Sequence, residues 1–261
     1  MKISRLFLHG FLGFLFLLAG CSQKTPQNAP QTAPAQPPVA IFKVDPATAA
    51  SIKGTIHYTG IKSAPKQIDM SEDPACVEAN HGKRVLDESL LVGHSGTLAN
   101  AFVYIEKGIE GKNFAVPQTP AVIDQRGCWF HPRVIGLQTN QPLQVVNSDP
   151  VTHNIHPMAH LNREWNHSQG PGDPPLNRKF VKPEIMIPVK CNIHSWMHAY
   201  IGVLDHPYFS VSKEDGVFEI PNLPPGTYTL AVWHEQLGTL EQQITVNPSQ
   251  NAIVDFTYKG K

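Results

Sequence analysis

The sequence lacks an excess of charge of either sign, since its 261 residues include 21 Lys and Arg and 21 Asp and Glu. This balance argues against nucleic-acid binding, which requires a basic patch. A Ser-His-Asp pattern, a phosphate-binding loop and paired carboxylates are also missing, so hydrolytic and transferase chemistry have no support. We therefore expect no enzyme activity and no nucleic-acid partner.

A sustained helical period is missing as well, apart from one short turn expected around 73–80. Apolar and polar residues instead alternate in short runs that end in turn residues, for example at 52–58, 98–106 and 142–146. This pattern predicts an all-β protein, a sandwich of short strands. The polar segment 158–182 has no periodicity and is expected to be a long loop that is either functional or mobile.

Long apolar runs are confined to the N-terminus. The run over 6–18 follows two basic residues and is too short for a membrane span. The next residues, Leu18-Ala-Gly-Cys21, resemble a bacterial lipobox. This resemblance implies a signal peptide over 1–20, a lipidated Cys21 and attachment to a membrane without crossing it. The alternative is a plain secretory signal in which Cys21 is incidental.

The residues after the predicted cleavage site indicate where the chain is held. Ser22 resembles the outer-membrane sorting signal of Gram-negative lipoproteins, so we expect a lipid-anchored protein of the periplasm. The segment 21–50 is rich in Pro, Gln and Ala and poor in apolar side chains. Such a composition buries too little surface to offset ordering entropy, which predicts a disordered tether.

Cysteine is scarce, with four in the chain. If Cys21 is lipidated, Cys76, Cys128 and Cys191 remain, and an oxidising compartment favours one disulfide and one free thiol. Sequence alone allows three pairings. Because Cys191 has the neighbours of a metal ligand, we expect a Cys76–Cys128 disulfide. The alternative is that Cys191 is an ordinary disulfide partner and that Cys76 or Cys128 is free.

Those neighbours form the most informative motif of the chain, Cys191-Asn-Ile-His194-Ser-Trp-Met197. A thiol, an imidazole and a thioether stand three residues apart between two β-rich runs. Thiolate and thioether are soft ligands that suit Cu(I), and imidazole suits both copper oxidation states. One loop therefore offers three ligands of a mononuclear copper site, and His153 is the candidate for the fourth.

Asn147-Ser-Asp149 followed by His153-Asn-Ile155, together with the Cys-x-x-His-x-x-Met loop, resembles the cupredoxin (blue copper) family. The loop spacing is most similar to the amicyanin type. The resemblance covers about 51–205 and implies a cupredoxin-like Greek-key β-sandwich that binds one copper ion. The copper ligands that it implies are His153, Cys191, His194 and, axially, Met197.

The same resemblance implies roles beyond the ligands. Asn154 would tie the two ligand segments together, and His194 would project through an apolar surface as the electron port. Alternatives remain for each ligand: His153 as an ordinary core or surface histidine, and Met197 as a core residue that leaves three ligands. His156 and His198 compete as ligands, but alternation along a strand turns them away from His153 and Met197.

The C-terminal sequence resembles a second family. Asp215–Ile220, Asn222–Tyr228 and Leu230–His234 resemble the carboxypeptidase regulatory-like (transthyretin-like) β-sandwich, which implies a small β module over 206–261 without catalytic residues. Four strands make a thin domain, so we expect the module to pack on the cupredoxin part and to share strands from 51–60 or 98–106.

These observations predict a lipid-anchored periplasmic copper protein that transfers single electrons between transient protein partners. Three alternatives stay open, one of them a copper enzyme, for which the histidine-bearing segment 156–167 leaves room. The chain could bind copper for trafficking or storage without a redox partner. It could also be a cell-surface module that binds proteins or carbohydrate on a β-sandwich scaffold.

Overall fold

The computed structural model describes residues 40–62 and 64–260. The predicted signal peptide, the lipidation site Cys21 and most of the predicted tether lie outside these residues. Within the described part, no helix is long and apolar enough to cross a membrane.

Short alternating runs form strands along nearly the whole described chain. The strands before the candidate ligand loop are β1 (Ala50–Tyr58), β2 (Phe102–Lys107), β3 (Ala121–Gln125), β4 (Phe130–His131), β5 (Val134–Gln138), β6 (Leu143–Asn147), β7 (His153–Pro157), β8 (His167–Gln169), β9 (Leu176–Arg178) and β10 (Glu184–Lys190). The strands after it are β11 (His198–Leu204), β12 (Phe209–Val211), β13 (Val217–Leu223), β14 (Gly226–His234), β15 (Gly238–Val246), β16 (Asn251–Ile253) and β17 (Phe256–Tyr258).

One short helix, α1 (Pro74–Ala79), interrupts the strands of the described residues. It begins after Asp73, whose side chain accepts hydrogen bonds from the amides of Ala75 and Cys76. An aspartate cap followed by proline is a favoured helix start, because proline at the first position lacks an amide that would otherwise stay unpaired. The helix lies where the sequence predicted a short turn.

The strands of the described residues form four sheets. Two of them, in the orders β5-β11-β10-β7-β8 and β4-β3-β6-β9, pack face to face over one apolar core that includes Ile123, Leu143 and Ile201. We call this part the site region. The prediction of an all-β sandwich is confirmed.

The other two sheets form what we call the C-terminal region. In the first, β1 lies between β13 and β16 and also pairs with β17; in the second, the order is β12-β2-β14-β15. The C-terminal strands therefore take partners from β1 and β2, as the sequence analysis expected. The sequence analysis had assigned β1 and β2 to the cupredoxin-like segment 51–205, but they belong to the sheets of the C-terminal region. The strands after residue 206 need them, because those strands alone would leave their apolar faces uncovered.

Two segments differ from their sequence interpretation. Near the end of the predicted tether, the Phe42 amide donates to the Asn113 carbonyl at 2.6 Å, and the Phe42 ring lies 5.6 Å from that of Phe114. The segment 158–182 was expected to be irregular, but it contains β8 and β9. It is anchored by Glu184, whose carboxylate accepts the amides of His160 and Asn162.

Candidate metal centre

Strand pairing brings the two predicted ligand segments to one end of a sheet. The loop Cys191–Met197 joins β10 to its antiparallel neighbour β11. On its other side β10 pairs with β7, where Lys190 lies opposite His156. His153, the first residue of β7, therefore faces the loop. Residues 38 positions apart in sequence become neighbours because both stand at the same end of paired strands.

Three of the predicted ligands form a compact buried cluster. His153, Cys191 and His194 each offer a ligand atom, and these atoms lie within 4.8 Å of one another. The two imidazole Nδ1 atoms are 3.0 Å apart, and Cys191 Sγ is 3.7 Å from His194 Nδ1. The three residues are at most 3% exposed, so their polar atoms meet each other rather than bulk water.

The opposite nitrogen of each imidazole is held by a carboxylate. His153 Nε2 lies 2.7 Å from Asp149 Oδ2, and His194 Nε2 lies 2.9 Å from Asp73 Oδ2. A carboxylate accepts a hydrogen bond, so it selects the tautomer whose proton is on Nε2. Both Nδ1 atoms are then left with lone pairs that point at each other beside the thiol.

The Cys191 thiol is prepared for loss of its proton. Its sulfur accepts contacts of 3.4 Å from three backbone amides, those of Asn154, Ile193 and His194. Burial alone raises the pKa of a thiol, but the adjacent His153 imidazole and these amides outweigh burial and lower the Cys191 pKa to about 7. A thiolate, rather than a thiol, is the form that binds metal.

The pKa values of His153 and its partner Asp149 also shift so that the charged form of each is favoured. Burial lowers the pKa of His153, but the hydrogen bond to Asp149 and the contact with Cys191 outweigh burial and raise it. Burial raises the pKa of Asp149, but His153 and two backbone amides lower it overall. Asp149 therefore stays ionised beside the imidazole, which is the arrangement that strengthens a histidine as a ligand.

Met197 and Asn154, the remaining residues with a predicted role at the copper site, also lie next to the cluster. Met197 is fully buried in the core beneath the loop, and its carbonyl accepts the Cys191 amide at 3.2 Å. Asn154 contacts both ligand segments, because its amide meets the Cys191 sulfur and its side-chain oxygen accepts the Asn192 amide at 3.2 Å. The axial role of Met197 stays a prediction.

The exposure of His194 differs from its sequence interpretation. It was expected to project through an apolar surface, but it is 2% exposed. Asp73 covers its Nε2, and Cys76 Sγ lies 3.5 Å from the same atom. The reason is that α1, a distant part of the chain, packs over the loop. The half-buried Trp196 lies against the imidazole instead, with ring centroids 5.3 Å apart.

Other polar residues considered as ligands lie apart from the cluster. His156 contacts Glu164 at the surface, and His198 is exposed. Glu235 forms a buried ion pair with Arg133, whose Nη2 lies 2.8 Å from Glu235 Oε2. His234 and Glu235 are therefore not a metal pair.

The expected disulfide is present. Cys76 and Cys128 are bonded to each other, and Cys191 is a free buried cysteine. The disulfide lies next to the candidate centre, since Cys76 approaches His194 and the Cys128 carbonyl accepts the Trp196 indole N–H at 3.1 Å.

Sequence reasoning missed the roles of Asp73 and Asp149. Asp149 had a local signal, because it ends the Asn-Ser-Asp turn four residues before His153. Asp73 had a signal only for a helix start, in the Asp-Pro pair. Its contact with His194 spans 121 residues of sequence, and no local pattern reports such a distance.

Comparison with known proteins agrees with this architecture. Residues 199–259 match the profile of the carboxypeptidase regulatory-like domain, which confirms the second resemblance for that segment. Curated protein sequences give no significant match.

Solved structures similar to the chain include two proteins of the cupredoxin class. A purple cupredoxin from Nitrosopumilus maritimus is 18% identical and covers 32% of this chain and 98% of its own, with a TM-score of 0.28. An oxidised amicyanin variant is 14% identical and covers 39% of this chain and 97% of its own, with a TM-score of 0.29.

A copper-containing nitrite reductase from Thermus scotoductus SA-01 is also similar, with 20% identity and a TM-score of 0.32 over 39% of this chain. This chain spans only 25% of that enzyme. The fold and the cluster together define an all-β sandwich protein with a buried thiol and two imidazoles at one end. What that cluster does is argued below from the side chains of this chain.

Proposed function

We propose that the chain is a mononuclear copper protein that transfers single electrons in the periplasm. One observation carries the proposal: two imidazole Nδ1 atoms face each other at 3.0 Å beside a thiol, with both Nε2 atoms held by carboxylates. Two lone pairs at this distance repel unless a proton or a metal ion lies between them. The cluster is therefore built to receive a positive charge.

The chemistry of the donors selects the cation. One thiolate and two imidazoles, with the Met197 thioether in the same core, form a soft set that suits copper better than magnesium or calcium. When bound, copper supplies a one-electron couple between Cu(II) and Cu(I). His153, Cys191 and His194 would hold it, and burial of all three would exclude water.

The chain's contribution is to keep these groups in place whatever the charge at the centre. Backbone amides direct hydrogen bonds to the Cys191 sulfur, and carboxylates fix the imidazole rings from behind. Groups that are already oriented need little rearrangement when charge changes, which favours fast electron transfer. Such burial also favours retention of the metal over the easy exchange that a trafficking protein needs.

Trp196 is the contact that a redox partner would reach. His194 is covered, but Trp196 lies against its ring and lines a cleft of about 370 Å³ together with Trp129, His198 and Tyr200. The proposal therefore moves the electron port from His194 to Trp196. Encounters of redox proteins are small and transient, and a half-exposed indole suits them.

Lipid attachment through Cys21 completes the proposal, and it supports a position on the outer membrane facing the periplasm. The lipobox-like sequence and the disulfide are the supporting features, because disulfides persist in oxidising compartments. The proposal assigns no catalytic residue.

The decisive experiment is a visible and EPR spectrum of the chain with one equivalent of Cu(II), compared with Cys191→Ser. We expect an intense charge-transfer band and narrow copper hyperfine splitting in the native chain, and loss of both in the variant. Ser195→Ala is the matched control, since it changes an exposed residue of the same loop. A colourless tetragonal spectrum that Cys191→Ser leaves unchanged would refute the thiolate–copper centre.

A further inference from the structure

A continuous set of contacts lies behind the two imidazoles and joins one to the other. The carboxylates that hold the distal imidazole nitrogens sit on separate segments. The Cys76–Cys128 disulfide joins the Asp73 segment to the turn at Cys128, and the amides of that turn bind Asp149. We define the outer frame as four residues: Asp73, Cys76, Cys128 and Asp149.

The Asp73 side of the frame depends on helix α1. One oxygen of Asp73 accepts the amides of Ala75 and Cys76, at 3.1 and 3.3 Å, while the other meets His194. The helix has six residues, and Cys76 is its buried residue. A helix this short is marginal without tertiary contacts. The disulfide is therefore one covalent attachment that helps to keep Asp73 over the imidazole.

The Asp149 side depends on the turn at Gly127 and Cys128. Their amides donate to the two oxygens of Asp149, at 2.6 and 2.7 Å. Both residues have left-handed backbones, with φ of 66° and 56°. That conformation is costly for cysteine, which has a Cβ. The disulfide to Cys76 helps to hold the turn that aims these amides.

Hydrogen bonds reinforce the link between the two sides. Asn80, the residue that ends α1, donates from its side chain to the carbonyls of Cys76 and Gly127, at 2.9 and 2.8 Å. The helix and the turn therefore form one unit around the disulfide, and a change at either end is transmitted to both carboxylates.

We propose that the Cys76–Cys128 disulfide is a positioning element of the metal centre, which joins Asp73 and Asp149 into one frame that turns both imidazole Nδ1 atoms toward Cys191. The copper site of the proposed function is then complete only in the disulfide-bonded chain. The inference about copper rests on that function, but the orientation of the imidazoles does not.

The first test needs no metal. Long-range proton–nitrogen NMR spectra of the metal-free chain at pH 8 report which nitrogen of each imidazole carries the proton. We expect Nε2 protonation at His153 and His194 in the native chain, and mixed tautomers at both in Cys76→Ser/Cys128→Ser. Unchanged tautomers in a folded double variant would overturn the frame, whether or not the chain binds copper.

The second test measures the Cu(II) dissociation constant by competition with a chelator, together with the EPR spectrum. Loss of groups that orient metal-bound histidines typically weakens metal binding by about 10- to 100-fold. We expect a loss of this size, with altered hyperfine splitting, in Cys76→Ser/Cys128→Ser, Asp73→Ala and Asp149→Ala. Asp69→Ala is the matched control, because its carboxylate caps the Ser71 amide and touches no imidazole.

The third arm distinguishes a linked frame from two separate carboxylates. If the disulfide acts through Asp73, then adding Asp73→Ala to the double cysteine variant weakens binding much less than it does in the native chain. Full additivity would overturn the link. A native chain that shows the expected tautomers but binds no copper would refute the proposed function and leave the frame standing.

Discussion

The two halves of the described chain bury very different side chains in similar β-sandwiches. The core of the C-terminal region consists of apolar groups such as Ile52, Phe218 and Leu230. The site region buries an apolar core too, but also places His153 and Asp149 inside it. Buried polar groups cost free energy unless they are hydrogen-bonded. The C-terminal region also buries separate polar side chains such as His234, but only in the site region do the named buried polar groups contact one another as a network.

A large-to-small substitution in the C-terminal core tests the packing side of this comparison. Phe218 is 1% exposed, so Phe218→Ala should lower the free energy of unfolding by about 3–5 kcal/mol through lost burial and a cavity. Urea denaturation of the metal-free chain measures it. The copper spectrum of the folded variant should stay native, since the centre lies in the other region. If Phe218→Ala changed the copper spectrum as well as the free energy of unfolding, the centre would depend on packing in the C-terminal region.

The ion pair between Arg133 and Glu235 tests how the regions are joined. Arg133 precedes β5 of the site region, whereas Glu235 follows β14 of the C-terminal region, and both side chains are 4% exposed. Arg133→Met leaves a buried carboxylate unpaired and should cost about 3 kcal/mol.

Replacing both partners, as in Arg133→Met/Glu235→Leu, removes that unpaired charge. The double variant should therefore be more stable than Arg133→Met alone in the same urea denaturation experiment. An equal or larger loss of unfolding free energy in the double variant would mean that Arg133 acts through packing on Trp129. The Arg133 Cζ atom lies 5.6 Å from the centroid of that ring.

His234 provides the smallest effect and a pH signature of the C-terminal region. Burial, and secondarily the charge of Arg133, lower its pKa from 6.5 to about 4. Between these values the unfolded chain binds a proton that the folded chain does not, so stability falls as pH falls, by about 1.4 kcal/mol per pH unit. Above pH 6.5 the contribution vanishes. His234→Gln should flatten the urea-derived pH slope between pH 6.5 and 5, and an unchanged slope would contradict this assignment.

The regular elements were the predictable part of this molecule. Alternation over 52–58 and 142–146 anticipated β1 and β6, and the short turn expected around 73–80 coincides with α1, because these signals are local. The ligand loop was readable for the same reason, since three ligand types stand at a fixed spacing between two strands. The disulfide followed from the few cysteines of the chain.

What sequence could not supply was the surroundings of the ligands. His194 was expected at the surface, but Asp73 covers it from 121 residues away. Trp196 is the half-exposed neighbour of His194, and this position depends on the same cover. Such contacts arise from tertiary packing between distant segments and produce no local sequence pattern. A spacing of three residues between candidate ligands is a local pattern and can be recognised in the sequence.

The position of β1 has a consequence for the order of folding. Its residues pair with β16 and β17 across about 200 positions, as between Ser51 and Asn251 or Ile56 and Phe256. Pairings between such distant segments form slowly, and the last strands of the described chain complete the sheet around the first. A chain synthesised from its N-terminus therefore holds an unpaired β1 edge until residues 251–258 have been made, so the first strand of the described residues is among the last to gain all its partners.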